Sequence, residues 1–227
     1  LASKFLAQAH KDETFDRIYI ITPSFKSNEA YFGKYIKKED VYEPTRESIS
    51  QVIASVEADR DEWEKFLLDC KKYEEFQAKL QGSRAIHDDA LLNAYSLGWM
   101  HGKRPKWKYE KEEPPKSLLI MDDVLSSPAI SQSSGLTKIA TLNRHVAPLQ
   151  VNHKERSACG LAVIILTQSY RMQGGISRVL RENISLLTLF KNKQQKQMYD
   201  LKTSQLKNQR FMETSMGDQA RLMLWKV

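Results

Sequence analysis

Two adjacent carboxylates at the end of an apolar run are the residues of this chain best suited to chemistry. The run is Ser117-Leu118-Leu119-Ile120-Met121, and it ends in Asp122-Asp123. A continuously apolar strand can be buried on both faces of a parallel sheet, and its C-terminal end opens into the crevice where phosphates bind. In that crevice Asp122 can hold Mg²⁺, directly or through water, and Asp123 can orient an attacking water. An Asp at such a junction can equally just end a strand and cap the helix that follows. A second buried-type run, Gly160-Leu161-Ala162-Val163-Ile164-Ile165-Leu166, ends in Thr167-Gln168-Ser169. Strand ends in a parallel sheet face one crevice, which places Gln168 to hydrogen-bond a γ-phosphate or the water that attacks it. Two such ends in this order favour a site over two loop beginnings.

The elements that must position these residues read as an alternating α/β order. A helix is expected over residues 1–9, whose apolar positions 1, 2, 5, 6 and 9 share one face, followed by a strand over 17–22 stopped by Pro23. Residues 46–80 read as one long helix with Val52, Ile53, Val56, Trp63, Phe66, Leu67, Tyr73 and Phe76 as its packed positions. A further helix is expected over 86–99, then a Pro-containing polar linker over 102–116. Strands over 117–121 and 161–167 flank a helix over 130–143, and two more strands are expected over 185–190 and 221–227. On this reading residues 44–116 form a helical insertion and linker within a single domain spanning 1–227.

Four segments, in order, resemble the genome-packaging ATPases of large DNA viruses and virophages, the poxvirus-type branch of the FtsK/HerA superfamily of ring translocases. They are Phe15-Asp16-Arg17-Ile18-Tyr19-Ile20-Ile21-Thr22-Pro23, then Leu118 to Val124, then Asn143-Arg144-His145, then Leu166-Thr167-Gln168-Ser169-Tyr170-Arg171 with Arg181-Glu182-Asn183-Ile184 behind it. The resemblance implies a P-loop NTPase fold, a mostly parallel sheet flanked by helices, with ATP and Mg²⁺ as cofactors. It also implies a homo-oligomeric ring acting on double-stranded DNA, capsid vertex proteins as possible partners, and a virion or host-cytoplasm (viral factory) location. In such rings hydrolysis is completed by a cation from the neighbouring subunit. By resemblance Arg144 is the first choice for that finger, with Arg171 and Arg181 as the other candidates for finger or sensor. A cellular or plasmid DNA translocase of the same superfamily is a further reading.

The phosphate-cradling motif of such an ATPase, Gly-Lys-Ser or Gly-Lys-Thr, occurs at none of the nine glycines. Since 1–9 reads like the helix directly after a phosphate loop, the first strand and the loop are expected upstream of Leu1. The competing reading is a non-catalytic DNA- or capsid-binding protein with a degenerate ATPase fold.

Composition agrees with a reducing compartment, since Cys70 and Cys159 are too few for a disulfide framework and read as buried small apolar residues. No run has the length needed to cross a bilayer. The charge is unevenly placed: eleven Lys and Arg against four Asp and Glu lie in 171–227, so the whole excess of +7 falls in this last quarter. That basic part suits a phosphate backbone, though scattered lysines also serve solubility. Trp99, Trp107 and Tyr109 lie among Lys103, Arg104, Lys106 and Lys108. Such a mixture can stack on bases, but docking of the aromatics onto the insertion helices is the favoured reading. His87-Asp88-Asp89 reads as a solvated helix face rather than a metal site, because adjacent helical residues point about 100° apart.

Overall fold

The computed structural model describes residues 2–82, 86–125, 127–131, 133–153, 156–167, 180, 182–190, 210–214 and 222–226. The chain is α/β. Its strands are β1 (Arg17–Ile21), β2 (Val41–Tyr42), β3 (Ser117–Asp122), β4 (Pro148–His153), β5 (Arg156–Ala158), β6 (Leu161–Thr167), β7 (Leu186–Phe190), β8 (Arg210–Thr214) and β9 (Leu222–Lys226). Among the described residues one sheet runs in the order β2-β1-β3-β6-β9-β7-β8, and β4 and β5 form a separate hairpin. The four neighbours β2, β1, β3 and β6 are mutually parallel, whereas β9 runs antiparallel to both β6 and β7.

The strands β3 and β6 are apolar between their ends because both their faces are covered. Odd-numbered residues of β1, β3 and β6, among them Tyr19, Leu119, Met121 and Ile165, pack with α3 (Ser48–Gln81) and α6 (Ser134–Leu142). Even-numbered ones, among them Ile20, Ile120 and Ile164, pack beneath α1 (Ala2–Lys11) and α2 (Phe25–Phe32), which contribute Leu6 and Phe32. Since α1 ends at Lys11 and β1 begins at Arg17, α1 runs back along the sheet.

The expected helix over 46–80 is α3, and every packed position assigned to it is buried or set against a core cluster. Residues 44–116 serve two ends. Ile49, Val52, Ile53 and Val56 of α3 belong to the sheet core, while Trp63, Phe66 and Cys70 form a second cluster and Phe76, Ala94 and Trp99 a third. The aromatics of the linker dock, as favoured: the Trp107 ring lies 4.9 Å from Trp63 and 5.4 Å from Phe66.

Several boundaries differ from expectation. The helix expected over 86–99 is α4 (Asp88–Ser96), because Gly98 takes φ +73° and the chain re-forms only a single turn, Trp99–His101. The helix expected over 130–143 is two helices, α5 (Pro128–Ser131) and α6, since Ser133 caps α6 by accepting the Leu136 N–H at 3.1 Å. The elements α2, β2, β4, β5 and β8 were not expected.

A buried charge network ties β1, α3 and the linker together. Asp59, 1% exposed in the middle of α3, accepts from Lys108 Nζ at 2.6 Å, Arg17 Nη1 at 3.2 Å and Tyr19 Oη at 3.4 Å. Arg17 also binds the buried Asp40 at 2.7 Å, and Lys108 binds Glu62 at 2.6 Å. The Asp40 hydrogen bond holds the Arg17 guanidinium above its usual range, and burial, then the nearby Asp59, pushes the Tyr19 phenol up. Removing one partner of a buried pair costs about 3–5 kcal/mol. In Asp59→Ala, however, Arg17 keeps Asp40 and Lys108 keeps Glu62. The expected loss is therefore about 2–3 kcal/mol, near that of a charged hydrogen bond. It would be read as a lower urea midpoint at unchanged m-value; no shift would mean that the network contributes nothing to stability.

Candidate functional site

Three neighbouring strands finish together at the carboxyl edge of the sheet. The register pairs Ile21 with Met121 and Asp122 with Leu166, so Thr22, Asp122 and Thr167 close adjacent strands. All three are buried, Asp122 at 6% exposure, in a chain whose other strand positions there are apolar. A carboxylate is expensive to desolvate, which sets Asp122 apart from its apolar neighbours as a candidate site residue. By strand alternation Thr22 and Asp122 stand on the face covered by α1.

Asp123 leaves the strand in the left-handed region, φ +55°, while its N–H donates to the Leu166 carbonyl at 3.0 Å. A left-handed L-residue costs roughly 1–2 kcal/mol, and Asp is one of the few side chains found there. The turn re-aims the backbone so that Asp123 is exposed while Val124 and Leu125 return to the core at 1% and 2% exposure. Asp122 and Asp123 are thereby separated into a buried carboxylate and an exposed one at the same strand end. That division matches a metal-holding group beside a water-orienting one. Mg²⁺ commonly takes one or two protein carboxylates and completes its shell with water and phosphate, a demand Asp122 can meet. Among the described residues no group of three or more His, Cys, Asp or Glu side chains could by itself hold a metal ion.

Arg144 stands elsewhere. It follows α6 in the short 3-10 helix Asn143–His145, beside the first residues of β6. The side-chain amide of Asn143, itself 2% exposed, donates to the Leu161 carbonyl at 3.3 Å, and the Gly160 and Cys159 N–H groups bond Val146 and Ala147 at 2.9 and 3.0 Å. Gly160 needs φ +73° to make this turn. These bonds fix Arg144 at the amino edge. Thr167 lies six residues further along β6, about 20 Å away at strand rise. The structure thus brings Asp122 and Asp123 together with the last residue before Gln168, and it sets Arg144 at the opposite end of the sheet. Gln168, Arg171 and Arg181 lie outside the described residues, as does most of 171–227.

Thr22 belongs to this edge, although the sequence reading did not single it out. Its hydroxyl accepts the Ser24 N–H at 3.3 Å and its N–H donates to Tyr42 at 3.1 Å. The signal available was its place at the end of an apolar strand just before Pro23. His87 precedes α4, and Asp88 and Asp89 occupy that helix's first turn, where acidic side chains favour the positive end of the dipole. No protein-family model matches the chain, and neither a curated protein nor a solved structure matches it.

Proposed function

We propose that the chain is the ATPase domain of an oligomeric double-stranded DNA translocase that packages a viral genome. The observation that carries this reading is the carboxyl edge itself. A buried Asp122 and an exposed, left-handed Asp123 end a central parallel strand beside Thr167. The P-loop NTPase assignment and the packaging role rest in addition on the four-segment resemblance.

In this reading Asp122 would hold Mg²⁺, which when bound would supply charge neutralisation at the phosphates. Asp123 accepts a hydrogen bond from the attacking water and holds it in line with the γ-phosphorus. Gln168, next after Thr167, hydrogen-bonds the γ-phosphate. Arg144 completes the site of a neighbouring subunit. A head-to-tail arrangement that closes into a ring brings the amino edge of one copy to the carboxyl edge of the next. The basic 171–227 part contacts the DNA backbone without reading sequence.

The absence of Gly-Lys-Ser or Gly-Lys-Thr from these residues is the observation that favours a second reading, a non-catalytic DNA- or capsid-binding protein. ATP hydrolysis that requires Mg²⁺ and rises with double-stranded DNA separates the two.

A further inference from the structure

The helix α4 (Asp88–Ser96) carries apolar side chains on two faces, and the described residues cover only one of them. Leu91 and Ala94 pack inward with Phe76 and Trp99 at the far end of α3, which accounts for the inner face. Leu92 and Tyr95 stand on the other side, 70% and 68% exposed, and Met100 in the turn that follows is exposed as well. Asp88, Leu92 and Tyr95 are spaced i, i+4, i+7, so they share one outer stripe. The stripe continues into the next turn, where the His101 ring lies 6.1 Å from that of Tyr95. An exposed apolar patch rimmed by polar residues marks an interaction surface.

The two ends of the stripe are oppositely charged. Asp88 and Asp89 occupy the first turn of α4. The helix dipole accounts for acids there, but not for the apolar stripe that runs on from them. At the other end the Lys103 stem lies against Gly98, and Lys103 and Lys106 line one groove with Leu97 and Trp99. The carboxylates of that groove are already matched, Glu112 by Arg104 at 3.0 Å and Asp69 by Lys72 at 3.9 Å. Among the described residues Asp88, Asp89, Lys103 and Lys106 form no ion pair. The length of α4, about 14 Å at helical rise, keeps the acidic and basic ends of one copy apart.

We propose that the outer face of α4 is a self-association surface, covered by a second copy of this chain about a two-fold axis. Antiparallel pairing sets the acidic end of each α4 against the Lys103 and Lys106 end of its partner, and both unpaired sets are satisfied at once. A two-fold contact demands this self-complementarity, in which residue i meets j while j meets i. Leu92 is the middle residue of α4, so the axis passes beside it and the two Leu92 side chains meet, with a Tyr95 on either flank. The patch is small for a protein interface, so the dimer is weak and depends on concentration. From Val56, the last α3 position in the sheet core, to Phe76 the helix rises about 30 Å. The contact uses no residue of either sheet edge and stands whether or not the chain hydrolyses ATP.

The test is cross-linking of the full chain through one introduced thiol, Leu92→Cys, since the native Cys70 and Cys159 are both buried. Under mild oxidation at micromolar protein a covalent dimer is expected. Thr137→Cys, at an exposed position of α6, should give none. A head-to-tail ring does not bring residue 92 to its own counterpart, so the readout is separate from ring formation. In the Leu92→Cys background, Asp88→Lys with Asp89→Lys places like charges at both ends of the contact, and so does Lys103→Glu with Lys106→Glu. Each pair of substitutions should lower the dimer yield about tenfold or more. Mixing the two variants restores opposite charges at both ends and should return the yield to that of Leu92→Cys alone. The proposal is overturned if no covalent dimer forms up to millimolar protein, an outcome that would leave the face to a different partner, or if Thr137→Cys cross-links equally well. It is also overturned if the reversals leave the yield unchanged, or if their mixture shows no recovery while both variants keep the parent's amide NMR spectrum away from the substitutions.

Discussion

Asp122→Ala is expected to abolish Mg²⁺-dependent ATP hydrolysis while leaving the fold in place. Metal coordination at a transferring phosphoryl group supplies several kcal/mol of transition-state stabilisation. A loss of about 4 kcal/mol corresponds to roughly a thousandfold in kcat. The structural cost should be small. Asp122 joins the sheet through its backbone opposite Leu166, a pairing that alanine keeps, and the core strand before it, Leu118 to Met121, is untouched. Deleting a buried carboxylate removes a desolvation penalty together with its contacts, two terms that oppose each other, so the variant should still unfold in one cooperative transition. Steady-state turnover and a urea unfolding curve on the same preparation check both halves. A mutant with normal turnover would remove Asp122 from the metal and the carboxyl edge from the chemistry.

Arg144→Ala should lower hydrolysis by about 10³- to 10⁵-fold, the range seen when an arginine finger is lost. The geometry sharpens this expectation. Arg144 is pinned at the start of β6 by the Asn143 and Gly160 bonds, while Thr167 ends the same strand about 20 Å away. No arginine side chain spans that length, so an Arg144 that took part in hydrolysis would have to do so at another subunit's carboxyl edge. Mixing Arg144→Ala with Asp123→Ala subunits should then restore part of the activity. An interface that joins an intact Asp123 to an intact Arg144 forms only in the mixture. Absence of any rescue, in rings shown to have exchanged subunits, would mean that Arg144 has no role across the interface. Lysine at this position should not restore the rate, because a point charge does not reproduce the planar fork.

The strands β3 and β6 were legible because their signal is local. Residues 117–121 and 161–167 are unbroken apolar runs with polar ends, and burial on both faces is the arrangement that stabilises such runs. The long helix was equally plain from its apolar spacing. What escaped the sequence depends on partners distant in the chain. Val41–Tyr42 is too short to show a period and exists as a strand through its pairing with Ile20 and Ile21. The hairpin Pro148–His153 and Arg156–Ala158 carries a polar, charged sequence with no alternation to read. Asp59 looks like a polar gap in the α3 stripe, yet it is buried because Arg17 and Lys108, 42 and 49 residues away in the chain, converge on it. At the candidate site, the adjacent pair Asp122-Asp123 could be read from sequence. The left-handed turn that separates a buried carboxylate from an exposed one could not, since Asp fits several backbone conformations equally well. The opposite-edge position of Arg144 follows from the direction of β6 after a tight turn at Gly160, which only the assembled sheet defines.

The most direct test of the central claim is ATP hydrolysis by the full gene product, measured with and without double-stranded DNA and with and without Mg²⁺. The account predicts Mg²⁺-dependent turnover that rises with DNA regardless of its sequence. A folded protein that binds DNA but hydrolyses no ATP under any of these conditions would contradict it and leave the non-catalytic binding protein in its place.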